Sequence, residues 1–306
     1  MSKLYDIAPW VARVALVFVA GWPLAARAED PSPTLLRWNF QKGDVHRYEY
    51  RQKTETKAKG AAQEVAHTVE LAIDMTWKVA AVDMSEAAEV VMTVERVKAT
   101  IRNGPQTLQF DSKDDSKKAD PATEALSLVY RAAIGPEYLL RVSRRGKIVS
   151  AKVPAAVTEA LRGSPFLAVA DGGSIFSERG VQNLFAQVFP TFPEEKVAPG
   201  GGWTETLELP SSPLLVTLKS AHTLKSAEGS AVKIEAALET AIRPAPDVAC
   251  EVEQGKQSGL ATFAFDTRAG RLTEASVRQS LALTLRFMKN EVEQTINIEI
   301  GMKRVP

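Results

Sequence analysis

The sequence predicts an α+β fold, predominantly antiparallel β, arranged as two β-modules or as one open curved sheet, a half-barrel, with a few helices in the middle of the chain. Three observations predict it. Period-two segments flank the centre on both sides, and the clearest sets Val69, Leu71, Ile73, Met75, Trp77 and Val79 against Thr68, Glu70, Asp74, Thr76 and Lys78. Helical spacing is confined to the middle, as at Leu126, Val129, Tyr130 and Ala133. Between the helices and the second run of strands lies Phe189–Leu209, where Pro190, Pro193 and Pro199 exclude both helix and central strand.

In chain order, residues 1–28 read as an export signal. Lys3 and Arg13 precede the apolar run Val14–Ala20, Pro23 breaks it, and Ala26-Arg27-Ala28 is the small-x-small pattern cut before Glu29. The run is too short to span a bilayer, so no transmembrane helix is expected after cleavage. Localisation is expected to be periplasmic or extracellular. The first β-module covers 29–120, the helical section with its hairpin 121–188, and the second β-module 189–306.

Within the first module, Leu35–Phe40, Asp44–Glu55, Thr68–Val79, Ala88–Ile101 and Gln106–Phe110 read as strands, with Lys57–Gln63 as a hairpin loop and 111–120 as a charged loop. Asp120-Pro121 caps the first helix and Gly135 ends it. A hairpin, Tyr138–Ser143 and Lys147–Val153, turns at Arg144-Arg145-Gly146. Short helices follow at Pro154–Leu161, ending at Gly163, and at Ser177–Val188, with a break at Asp171-Gly172-Gly173 between them. Trp203–Leu209, Leu214–Lys225, Ala231–Ile242, Leu260–Asp266, Arg271–Met288 and a last strand through Ile300 complete the second module. Arg243–Gly259 reads as a long polar loop holding Cys250. Gly43 before Tyr48 and Tyr50, and Gly200–Gly202 before Trp203, suggest two copies of one module.

Composition narrows the function classes. Of 306 residues, 45% are apolar and 25% charged, as in ordinary globular chains, which excludes wholesale disorder. Losing Lys3, Arg13, Arg27 and Asp6 with the leader takes the net charge from +1 to −1, so no global field steers the chain to nucleic acid. One cysteine, Cys250, forbids an intrachain disulfide and reads as a small, partly buried residue.

Catalytic and metal motifs are missing. His46, His67 and His222 stand far apart and read as strand-surface residues. Asp111-x-Lys113-x-Asp115 fails as a calcium loop, and no GxSxG, SxxK or P-loop occurs. Adjacent Glu194 and Glu195 cannot flank a bond and read as exposed charge. No cofactor is expected. Two candidate surfaces remain. Arg141, Arg144, Arg145, Lys147 and Lys152 form a basic hairpin, either a solvated turn or a polyanion patch. Tyr48, Tyr50, Trp77, Trp203, Phe263, Phe265 and Phe287 fall on strands and line either a filled core or a pocket for an apolar small molecule or lipid.

The order of the turn-and-strand motifs is distinctive. Leu36-Arg37-Trp38-Asn39-Phe40-x-x-Gly43-Asp44-x-x-Arg47-Tyr48 is followed by Phe189-Pro190-x-Phe192-Pro193 and Val197-x-Pro199-Gly200-x-x-Trp203. Then comes Gly259-x-Ala261-x-Phe263-x-Phe265-Asp266-x-x-x-Gly270-Arg271-Leu272. In these the chain resembles a family of exported bacterial proteins of unknown function, frequent in planctomycetes. The resemblance spans nearly the whole mature chain and implies export and a β-rich fold, but no activity and no site residues. In architecture alone, the expected half-barrel is similar to bacterial lipoprotein carriers. The expected function is a non-catalytic exported binding or scaffold protein. The alternatives are a hydrolase-type enzyme whose residues converge only in three dimensions, and an outer-membrane β protein.

Overall fold

Both strand runs are two-sided, and in the computed structural model they bury their apolar sides together in one sheet. The structure describes residues 32–60, 63–114, 121–162, 175–211, 214–246, 248–288 and 290–306. The expected leader 1–28, residues 115–120 with the Asp120 cap, and 163–174 with Gly163 and Asp171-Gly172-Gly173 lie outside them. Residues Ser32–Pro306 form one compact unit.

Six strands precede the centre of the chain: β1 (Val45–Lys59), β2 (Glu64–Val82), β3 (Ala88–Asn103), β4 (Gln106–Asp111), β5 (Glu137–Val142) and β6 (Ile148–Lys152). Six follow it: β7 (Gly202–Ser211), β8 (Leu214–Glu228), β9 (Ala231–Pro244), β10 (Glu251–Asp266), β11 (Arg271–Phe287) and β12 (Asn290–Val305). Helix α1 (Pro121–Ala133) separates β4 from β5, and α2 (Ala155–Arg162) and α3 (Glu178–Val188) lie between β6 and β7. Ser177 caps α3, its hydroxyl accepting the Gly180 amide at 2.9 Å.

The twelve strands of the described residues form one antiparallel sheet in the order β6-β5-β3-β2-β1-β12-β11-β10-β9-β8-β7, with β4 beside the far end of β3. Strands adjacent in sequence pair as meanders along β1–β4 and β7–β12, whereas β5 follows α1 and pairs with the first part of β3. The halves join at the centre, where β1 pairs with β12 from Arg47↔Val305 to Lys59↔Glu293. The first half therefore runs from the centre outward and the second from an edge inward. The two glycine turns accordingly occupy unlike places: Gly43 precedes the central β1, and Gly202 begins the edge strand β7.

Alternation decides which residues face inward. Tyr48 and Tyr50 on β1 stand opposite Met75 and Ile73 on β2, and all four are buried. On β11, Ala275, Val277, Leu281, Leu283 and Leu285 share one face and are buried as well. The outer face carries the charge. Arg102 pairs with Glu70, Lys53 with Glu55 and Arg286 with Glu253. A membrane barrel presents an apolar band outward, and here that side holds ion pairs instead.

Three expected elements differ. The strand expected at Leu35–Phe40 is extended and alternates Leu36 and Trp38 inward, but it joins no ladder. Its backbone bonds go to turns: the Trp38 amide donates to the Arg144 carbonyl and the Asn39 amide to the Gly270 carbonyl. The loop expected over Lys57–Gln63 is shorter, because β1 runs on to Lys59 and β2 starts at Glu64. Much of the expected polar loop Arg243–Gly259 is strand, since β9 runs on to Pro244 and β10 begins at Glu251 and pairs with β11. Its polar look has a cause described below.

Candidate functional site

The inner face has two differently filled ends. At one, α3 and the following Phe189–Phe192 press onto the sheet. Trp77 meets Tyr48, Phe185 and Phe189 edge-on at 5.6, 4.8 and 5.2 Å between centroids. Phe265 meets Trp38 at 5.8 Å and Phe192 at 4.7 Å. Of the aromatic candidates, Tyr48, Tyr50, Trp77, Phe263 and Phe265 belong to this core, Trp203 packs at its rim, and Phe287 sits apart in a second cluster. Burial pushes the Tyr48 and Tyr50 hydroxyls well above their usual range. Tyr50 Oη donates to Gln52 Oε1 at 2.7 Å, whereas Tyr48 Oη and Trp77 Nε1 are buried with no partner among the described residues. Gly270, at φ +59°, is what lets the N-terminal segment lie down here, since a Cβ would run into the Asn39 backbone.

The other end is lined by aliphatic groups and lies largely beyond the reach of the helices. Leu281, Leu283 and Leu285 form a second buried cluster with Leu214, Ile242, Cys250, Val252, Phe287 and Ile296 beside it. Cys250 is a free, half-buried thiol. Between the two clusters lies a cavity of about 170 Å³, walled by Leu209, Val216, Leu218, Leu238, Ile296 and Ile298. Its polar lining is Gln187 from α3 with Thr240, Gln257, Ser258, Gln279 and Ser280.

The sheet is split beside this cavity. β9 and β10 pair only between Ala231↔Asp266 and Ala237↔Leu260. Beyond that point β9 continues against β8 and β10 against β11. Glutamine side chains span the gap. Gln257 Oε1 accepts the Thr240 amide at 2.8 Å and Gln254 Oε1 the Ile242 amide at 3.0 Å. Gln254 Nε2 donates to the Thr240 carbonyl at 2.8 Å. A side-chain amide carries the same donor and acceptor as a peptide group, so it substitutes for missing ladder rungs. This is why Glu251–Gly259 reads as loop: where neighbouring strands carry leucine, β10 carries glutamine.

The basic hairpin lies at the opposite edge. Arg141 pairs with Asp83, Arg144 with Glu86, and Arg145 with Glu194 at 2.9 Å, while the Arg145 Nε also donates to the Phe192 carbonyl. Arg37 donates to the Pro193 and Glu194 carbonyls. Burial, then the nearby Arg144 and Arg145, hold the Arg37 guanidinium below its usual value. Gly146, at φ +91°, makes the turn that Trp38 covers. Lys147 lines a cleft of about 740 Å³ between this hairpin, α3 and the edge strand β7, together with Arg179, Glu205 and Trp203.

Sequence reasoning missed His222. Expected at a strand surface, it is 4% exposed, stacked on Trp203 at 4.9 Å and 10° and flanked by Phe263. The signal was there, since Leu218, His222 and Leu224 share parity on β8 and all three are buried. Its Nε2 lies 3.7 Å from Glu205 Oε2, which accepts the Thr191 amide at 3.1 Å. Burial works to raise the Glu205 carboxyl, but the neighbouring His222 ring and the bonding from Thr191 outweigh it and leave the group below its usual value. Among the described residues neither ring nitrogen of His222 has a partner within hydrogen-bond geometry. Among the described residues no group of three or more His, Cys, Asp or Glu could hold a metal ion. Nor, among them, is any helix long and apolar enough to cross a membrane.

No protein-family model and no curated protein matches the chain. Among solved structures, a lipovitellin studied for its lipid–protein interactions aligns over 88% of this chain and 26% of its own, at 11% identity and TM-score 0.47. OccK5 (OpdH) of Pseudomonas aeruginosa aligns over 86% and 99%, at 6% identity and 0.28. An outer membrane channel from Pseudomonas putida aligns over 88% and 97%, at 6% and 0.22. The chain thus spans about a quarter of the lipovitellin chain. At these scores the likeness carries no argument, and the reading of the chain rests on its own geometry.

Proposed function

We propose that the chain is an exported, non-catalytic binding protein that holds an apolar ligand on the inner face of its sheet, at the end away from the aromatic core. The observation that carries this is the 170 Å³ cavity, with aliphatic side chains from β7, β8, β9, β11 and β12 converging on it. An engineered cavity of about 150 Å³ lined by Leu, Ile and Phe takes up benzene, so the volume suffices for a small ring or one end of a chain. The sheet's length supports the same reading, because β11 and β12 carry apolar residues inward well past the region that α3 covers.

The test is uptake of the neutral apolar fluorophore N-phenyl-1-naphthylamine by purified full-length chain, alongside native mass spectrometry before and after solvent extraction. Saturable fluorescence, lost in an Ile298→Trp variant that fills the cavity, is the expected result. No uptake and no extractable ligand would end the proposal. Export rests on residues 1–28 alone. N-terminal sequencing of material from the cell envelope is expected to start at Glu29, and an intact Met1 would remove the exported part of the reading.

A further inference from the structure

The two end strands of the sheet differ in what covers them. β6 is five residues long and α3 packs against it. β7 runs for ten, Gly202–Ser211, and pairs with β8 alone. In an antiparallel ladder every second residue turns both its N–H and its C=O to the same flank, so half of β7 points these groups away from β8. Among the described residues no backbone hydrogen bond meets them between Trp203 and Glu208. The cleft of about 740 Å³ runs along this bare flank, for every residue from Trp203 to Glu208 lines it. A hollow over one face of a strand is lined by alternate residues only, so consecutive lining places the cleft at the strand's edge. Its other lining includes Arg179, Gln182, Asn183 and Ala186, one stripe of α3 at helical spacing, with Lys147 from the hairpin turn.

We propose that this cleft takes an extended acidic peptide as an added strand beside β7. It shares no lining residue with the apolar cavity, so this inference stands apart from the binding reading above. Ladder groups on the bare flank carry the affinity, since an added strand exchanges their water for main-chain hydrogen bonds. Gln182 and Asn183 offer side-chain amides to the peptide's other flank. Trp203 to Glu208 span about 20 Å, which sets the length of segment that the edge pairs. A second copy of the chain would have to bring a whole sheet past α3 and the hairpin, whereas one extended segment needs only the cleft. The charges choose the side chains. Arg145 and Glu194 neutralise each other, and Glu205 faces His222 and holds the Thr191 amide. That leaves Lys147 and Arg179, both exposed and without an ion pair among the described residues, against the single carboxylate of Glu208.

The experiment uses the full-length chain and fluorescein-labelled, end-blocked peptides of about six residues, read by anisotropy. One peptide alternates valine with glutamate, the other valine with lysine. The glutamate peptide is expected to bind about fivefold more tightly at low salt, the margin shrinking as salt rises. Two further versions of it carry N-methyl groups on every valine amide or on every glutamate amide, each blocking one flank of the peptide. At least one of them is expected to lose on the order of tenfold in affinity. In hydrogen exchange, saturation with the glutamate peptide is expected to slow amides within Thr204–Glu208 and to leave Tyr50 and Ile73 unchanged. Lys147→Glu combined with Arg179→Glu, at two exposed positions, is expected to reverse the preference between the glutamate and lysine peptides. If neither peptide binds, if both methylated versions bind as well as their parent, or if the lysine peptide binds as tightly as the glutamate one, the inference is overturned. It is equally overturned if sedimentation shows a dimer whose Thr204–Glu208 amides are protected without peptide, since a second copy then holds the edge.

Discussion

At its aromatic end the inner face is closed by a helix, and at its leucine end it is lined mainly by residues of its own strands. Both ends are built from long strands with the same alternation. The difference lies in what stands opposite. Phe185 and Phe189 reach down onto Trp77 and Tyr48 and leave no room between rings. At the other end Gln187 is the α3 residue at the cavity, and the sheet beneath it has parted between β9 and β10. A filled interior makes the first end the source of stability. A void and a bridged gap make the second end the place with room to change.

The sharpest way to break that contrast is to remove one large side chain from each end. Trp77→Ala takes out a buried indole held by three rings and is expected to cost about 3–5 kcal/mol in urea unfolding. Leu283→Ala, beside an existing void, is expected to cost nearer to about 2 kcal/mol. Equal losses would show that the two ends are not energetically distinct.

A smaller effect belongs to the rim of the aromatic end. Glu205→Gln keeps an acceptor for the Thr191 amide but loses the carboxylate facing His222, and is expected to cost about 1 kcal/mol at neutral pH. The native carboxyl lies below the usual 4.5, so its share is fully present above that value and disappears as pH falls through the folded one. The gap between the two proteins should therefore close in acid, as thermal melts at stepped pH would report. A constant gap down to strong acid would contradict the carboxylate's role.

The least costly change sharpens the contrast at the open end. Gln254→Ala removes two bridging bonds and is expected to lower global stability by less than about 1 kcal/mol. Its mark should be local, with faster hydrogen exchange at the Ile242 amide and little change at Tyr50 or Ile73. Unchanged exchange at Ile242 would mean the glutamine bridge does not hold the gap.

What the sequence made legible follows the same division. β2 reads plainly because large apolar residues recur at every second position from Val69 to Val79, with polar residues between them except at Ala72. The first half of β10 does not, because its inward positions carry Gln254 and Gln257, and an amide that stands in for a peptide is indistinguishable from loop polarity. Leu36 and Trp38 show strand-like alternation, yet their partners are turns far away in sequence. His222 is buried by Trp203 and Phe263, neighbours that only the register brings to it. The cavity is invisible for a related reason: a void is a property of what fails to meet, and no single residue records it.

The pairing of β1 with β12 has a consequence for biogenesis. β1 waits for β12, which is made much later, and until then one flank of β1 exposes unpaired amides and carbonyls to any passing chain. The middle of the sheet therefore closes only once β12 has been made, and a change that removes or shortens β12 leaves that flank of β1 open to aggregation.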